Sequence, residues 1–213
     1  MYSAGLNDRL VALIAREPRI VPYIDMPIQH VSDRMLERMR RPERRHTLRD
    51  KLSRLRRDVP DLAIRTTCLV GFPGETDGDF AQLLAFLEEA QFDRLGAFAY
   101  SPQEGTRGAQ FADDVPDAVK RDRLEELLEV QRAISAERLE RFVGREVEVL
   151  VDRPAEPDET TPEISHVGRV PWQADDVDGV TYLERCGWSR PGDFVRTRIT
   201  GSEDYDFRAV ALT

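Results

Sequence analysis

TTCLVGFPGET, residues Thr66 to Thr76, decides how this chain of 213 residues is read. An apolar run ends in Gly-Phe-Pro-Gly, and a carboxylate and a hydroxyl follow at once. The run LAIRTTCLVGF, 62–72, predicts a buried strand. Phe72-Pro73-Gly74-Glu75 predicts a type II turn, because proline presets the second position and glycine tolerates positive φ at the third. Thr76 predicts a helix cap, with Asp79 as the partner in a variant capping box. Phe80, Leu83, Leu84 and Leu87 then share one helical face. Gly71 has no Cβ, so a flat ligand could lie against its backbone, with Glu75 at the lip of the turn. Taken alone, the turn fits an ordinary strand-to-helix connection equally well.

Similar patterns lie on both sides. IVPYIDMPIQH, 20–30, predicts a short buried strand with Gln29 and His30 at its polar end, and RLGAFAYS, 94–101, predicts a third strand. Leu6, Leu10, Val11 and Ile14 predict a short helix ending near Pro18. Ser32 predicts the cap of a helix carrying Leu36 and Met39. Leu48, Leu52 and Leu55 mark another, which stops before Val59-Pro60 because a residue preceding proline avoids helical angles. Strands alternating with helices imply parallel strands and right-handed crossovers, with ligands at the strands' carboxyl ends.

From Pro116 to about Phe142 runs a long helix with Leu124, Leu127, Leu128, Gln131 and Ile134 on or near one stripe; its Arg and Glu residues read as a solubility feature. At Gly144 the period becomes two. EVEVLV places Val147, Val149 and Val151 on one side, PAEPDETTPE reads as an acid-rich loop, and residues 192–212 predict two strands around a Gly-Ser turn with Val195, Thr197 and Ile199 on one side. The expected fold is α/β: a partial, three-unit parallel βα barrel over 1–143, then a small antiparallel β-barrel over 144–213.

With 40% apolar and 33% charged residues, the composition fits a globular protein with a charge-dense surface. No apolar run approaches the roughly 20 residues of a membrane span, and MYSAGLNDRL lacks a signal pattern, which predicts a cytoplasmic location. Cys68 and Cys186 read as unrelated reduced thiols. His46 and His166 are predicted to be exposed, and neither has metal-ligand spacing. The net charge of −9 hides an asymmetry: residues 34–57 hold eleven Arg and Lys against three acids, a local balance of +8. That stretch reads as a solvated helix face or as a nucleic-acid contact. Residues 152–206 hold thirteen acids against six arginines, a balance of −7.

GFPGET after a strand resembles the G-x-I-x-G-x-x-E region of radical S-adenosylmethionine enzymes. With YIDMPIQHVSDRMLERMRRP before it and FAYSPQEGT after it, the wording is similar to the methylthiotransferase family. GREVEVLVD and PGDFVRTRITGSEDYDF in the tail are similar to the TRAM domain that ends those enzymes. The resemblance implies that a 4Fe-4S cluster reduces S-adenosylmethionine to a deoxyadenosyl radical, which removes hydrogen from an unactivated carbon. A second cluster takes part in sulfur delivery, and another S-adenosylmethionine supplies the methyl group. Gly71, Phe72, Gly74 and Glu75 would border the adenosine part of the cofactor, Gln29 and His30 would face the same cavity, and Phe98, Tyr100 and Ser101 would lie near the adenine. Each has a plainer reading as well: helix capping for Gln29 and His30, barrel filling for Phe98 and Tyr100, and helix-end electrostatics for Glu75.

The tail's acidity favours the branch that modifies an aspartate of a small-subunit ribosomal protein, engaged through the TRAM-like domain, over the tRNA-modifying branch. The basic stretch Arg34–Arg57 could touch ribosomal RNA. The family's C-x3-C-x2-C motif does not occur in the sequence. The expectation is therefore a truncated chain with no catalytic residue or metal site of its own, holding neither S-adenosylmethionine nor a cluster tightly, and prone to self-association. A non-catalytic module that binds ribosomal protein or RNA is the remaining alternative.

Overall fold

Three parallel strands organise the first unit of the chain, Met1–Ile134. The computed structural model describes residues 5–156 and 161–212. Residues 1–4, and Asp158 and Glu159 of the acid-rich loop, lie outside the described residues. The strands are β1 (Tyr23–Asp25), β2 (Ala63–Val70) and β3 (Arg94–Ala99). They stand in the order β1-β2-β3, with Ile24 beside Ile64 and Leu69 beside Phe98. β1 is shorter than its sequence predicts because Pro27 has no N–H to give the ladder; pairing resumes only at Gln29, opposite Cys68.

The helices are α1 (Asp8–Arg16), α2 (Asp33–Arg38), α3 (Arg45–Asp58), α4 (Asp77–Ala90) and α5 (Asp117–Glu140). One apolar cluster joins Val11, Leu36, Leu52, Leu83 and Leu127 of these helices to Ile64, Cys68 and Val70 of β2. The other face of the sheet, with Asp25, Arg65, Thr67, Leu69 and Phe98, is only partly buried or exposed. Leu128, expected on the stripe of α5, is exposed, whereas Leu127, Gln131 and Ile134 are buried. No helix among the described residues is long and apolar enough to cross a membrane.

The second unit, Ser135–Thr213, is a closed barrel in the order β4-β5-β6-β8-β7. Its strands are β4 (Glu146–Pro154), β5 (Ile164–Arg169), β6 (Thr181–Glu184), β7 (Phe194–Glu203) and β8 (Asp206–Ala211). Val149, Val151, Val195, Thr197 and Ile199 point inward as the period of two predicts, and Phe142 stacks on Trp172 at 3.9 Å. Three expectations need correction. The barrel is not wholly antiparallel, since β6 and β8 run parallel. Gly201-Ser202 is not the turn: it lies within β7 where the register shifts, and the chain reverses at Asp204-Tyr205. His166 is buried in β5, with Nδ1 3.7 Å from Cys186 Sγ; the burial of β5 does not alternate, so a period of two does not place it. His46 is exposed as expected, and both cysteines are free and buried.

Candidate functional site at the strand tips

Because β1, β2 and β3 run parallel, the segments that follow them emerge at one edge. Glu75 N–H donates to the Phe72 carbonyl at 2.9 Å, and Gly74 has φ +81°, as a type II turn requires. Gly71 also has positive φ, +72°, and an added Cβ would lie 2.4 Å from Lys120 Cγ. The absent side chain therefore makes room for Lys120.

Glu75 is not at the lip. Its carboxylate is turned inward and buried, accepting from Gly71 N–H at 2.8 Å and from Arg123 Nη1 at 2.9 Å. His30, fully buried, stands 3.6 Å away through Nε2. His30 Nδ1 accepts from the N–H groups of Val31 and Ser32 at 2.9 and 3.0 Å. That assigns the ring proton of neutral His30 to Nε2, facing Glu75. Phe72 meets Tyr100 edge to face at 5.0 Å and Phe111 at 6.1 Å.

Asp79 ties α2 to α4. It closes the capping box with Thr76, whose N–H donates to Oδ2 at 2.9 Å, and it accepts from Ser32 Oγ at 2.6 Å and from Arg34. Ser32 thus stands at the predicted cap position, but its hydroxyl serves Asp79 rather than the end of α2. Burial by itself would raise the Asp79 carboxyl; hydrogen bonds from Arg34, Ser32 and Thr76 outweigh it and hold the group well below the usual carboxylate range. Burial would likewise lower Lys120, but its bonds to Asp113 at 2.7 Å and Asp117 at 3.2 Å prevail and leave its pKa raised.

The structure brings Gln29, His30, Gly71, Phe72, Gly74, Glu75 and Tyr100 together at this edge. Phe98 and Ser101 stand apart: Phe98 is 61% exposed on the open sheet face, and exposed Ser101 accepts from Gln103. Gln29, Leu69 and Phe72 line a cleft of about 290 Å³ with arginines 38, 40, 41 and 107. Sequence reasoning missed Lys120, Arg123 and Arg107. A signal existed for the first two: they extend the stripe Leu127, Gln131, Ile134 by helical spacing, so they sit where apolar residues are expected. Arg107 gave none.

An iron–sulfur cluster needs several thiolates together. Cys68 lies inside β2, where burial pushes its thiol pKa up, and Cys186 belongs to the other unit. This donor set does not fit a cluster.

Residues 143–212 match the family model for the TRAM domain. The chain is 49% identical over 207 residues to the ribosomal protein uS12 methylthiotransferase RimO of Anaeromyxobacter sp. (strain K), covering 96% of this chain and 43% of that protein. It is 46% identical over 205 residues to RimO of Geobacter sulfurreducens, covering 96% of this chain and 45% of that protein. RimO of Desulforudis audaxviator is 46% identical over 213 residues, covering 100% of this chain and 46% of the relative. The chain thus spans less than half the length of each of these relatives. With a TRAM domain over its second part and this likeness over nearly all of its length, the chain is a relative of the RimO methylthiotransferases.

Proposed function

We propose that this chain forms one wall of the active-site mouth of a uS12 methylthiotransferase. In this reading, residues 1–143 are three units of a radical S-adenosylmethionine barrel, and 144–213 are the module that engages the ribosomal protein. The observation that carries it is the likeness to RimO over 96% or more of the chain. The partly exposed second face of the parallel sheet supports it, because a doubly wound sheet would be covered on both faces.

S-adenosylmethionine, when bound, supplies the radical and the methyl group. Gln29, Gly71, Phe72, Gly74 and Tyr100 would border it. His30, Glu75, Lys120 and Arg123 hold the turn that presents them, and Phe72, Tyr100 and Phe111 exclude water from one side. The cluster ligands lie outside these 213 residues, and the chain alone binds cofactor weakly. The acidic balance of −7 over 152–206 repels RNA phosphates and complements a basic ribosomal protein. The reading carries a cytoplasmic location with it.

The test is to disrupt the reading frame that encodes this chain and analyse uS12 and tRNA by mass spectrometry. Loss of a methylthio group from a uS12 aspartate is expected. An unchanged uS12 with a methylthio group lost from tRNA would transfer the chain to the tRNA-modifying branch. No change in either would leave it a binding module.

A further inference from the structure

Beside the turn, the cleft of about 290 Å³ adjoins a second of about 460 Å³, and the two share Arg38, Arg40, Arg107 and Phe111. Leu69 and Phe72 add apolar surface to the inner one. The arginines are not equivalent. Arg38 is committed, donating from Nε to the Pro73 carbonyl at 2.7 Å and resting 4.2 Å from the Phe111 ring centre. Arg34, on the outer rim, is committed to Asp79 and to the Gly74 carbonyl. Arg41 has an interaction of its own. Arg40 and Arg107, both exposed, have no hydrogen bond or ion pair from their guanidinium groups among the described residues.

The backbone sharpens the point. Arg41 N–H donates to the Leu36 carbonyl at 2.7 Å and Arg40 N–H to Glu37 at 2.9 Å, with Arg40 at φ +56°. This is a helix-ending motif whose left-handed position glycine ordinarily fills. Local conformation therefore does not account for an arginine there. Gln29, on the same cleft, is left-handed too, at φ +67°. Attraction to a helix end offers a reason for a cation near α2, but none for Arg107, which comes from a distant loop.

We propose that Arg40 and Arg107 form a carboxylate clamp that seats the aspartate side chain destined for modification. The proposal rests on the uS12 reading above. A guanidinium fork matches a carboxylate with two parallel hydrogen bonds. Two uncommitted forks from separate elements, beside Leu69 and Phe72, select a short acidic side chain carried on a peptide. They place it next to the Gly-Phe-Pro-Gly turn.

Fluorescence anisotropy at low salt tests this with the whole 213-residue chain. The probes are a uS12 peptide bearing the target aspartate and the same peptide with asparagine. The aspartate peptide should bind roughly tenfold more tightly, the scale of a hydrogen bond to a charged group. Arg107→Ala should reduce it to the level of the asparagine peptide. Arg40→Asn, chosen because asparagine tolerates the left-handed backbone, should do the same. Equal binding of the two peptides would overturn the clamp and leave the uS12 reading standing; binding of neither would sink both. A ribosomal RNA oligonucleotide weakened by these substitutions, with peptide binding untouched, would overturn the clamp in favour of a phosphate site.

Discussion

Arg123 Nη1 meets Glu75 Oε1 at 2.9 Å beneath the turn, with the two side chains 8% and 0% exposed. The pair joins α5 to the β2–α4 connection, and Glu75 also receives the Gly71 N–H. Removing one member of such a pair strands a buried charge, at a cost of about 3–5 kcal/mol.

Arg123→Met should therefore destabilise the first unit by about 3 kcal/mol or more. Glu75→Gln should cost less, because its amide oxygen still accepts from Gly71. The double substitution should cost less than the sum of the two. Urea unfolding followed by circular dichroism measures all three; an Arg123→Met loss below about 0.5 kcal/mol would disprove the account of the pair.

Gly71→Ala faces two obstacles, the left-handed backbone at φ +72° and Lys120 Cγ at 2.4 Å. The first costs about 1–2 kcal/mol, and the second adds to it. Lys120→Ala clears the space without relieving the backbone. The expected result of a double-mutant cycle is partial rescue, and simple additivity would show that the two groups do not compete for the space.

Acid should expose the role of Asp79. Its folded carboxyl titrates below the unfolded value of about 3.9, so its contribution is complete above that value and drains away as pH falls beneath it. Asp79→Asn should lower stability at neutral pH by about 1–3 kcal/mol and flatten the loss below about pH 4. An unchanged acid limb in the variant would show that other carboxylates dominate.

Cys68 should resist alkylation in the native chain at pH 8 and react fully in denaturant, because burial raises its thiol pKa and removes access. Iodoacetamide labelling read by mass spectrometry decides it. Rapid native modification would mean that β2 opens.

Among the described residues β1 and β3 each pair on one side only, and Phe98 is 61% exposed beside the β3 edge. Open edges of this kind recruit other chains. The chain should self-associate in light scattering, and Phe98→Lys should shift it toward monomer; a concentration-independent monomeric wild type would remove the premise.

Much of this was legible from the sequence. The β2–turn–α4 unit could be read residue by residue, because each of its parts is a local constraint: proline fixing φ, glycine permitting positive φ, threonine and aspartate capping a helix. The inward side of β7 could be read for the same reason, since alternation is a property of adjacent residues. What tertiary structure alone decided is where the charges go. Glu75 and Arg123 lie 48 positions apart, and Ser32 and Asp79 lie 47 apart. Pairings at that range depend on which helix end packs beside which strand tip, and a periodic pattern does not encode it. His166 was misjudged for the same reason: β5 takes its place from pairing with β4 and β6, with a register irregularity beside His166, rather than from an alternating pattern of its own. Local constraints set the bend and its neighbours, and packing turned its acid inward and left two of the cleft's four arginines uncommitted.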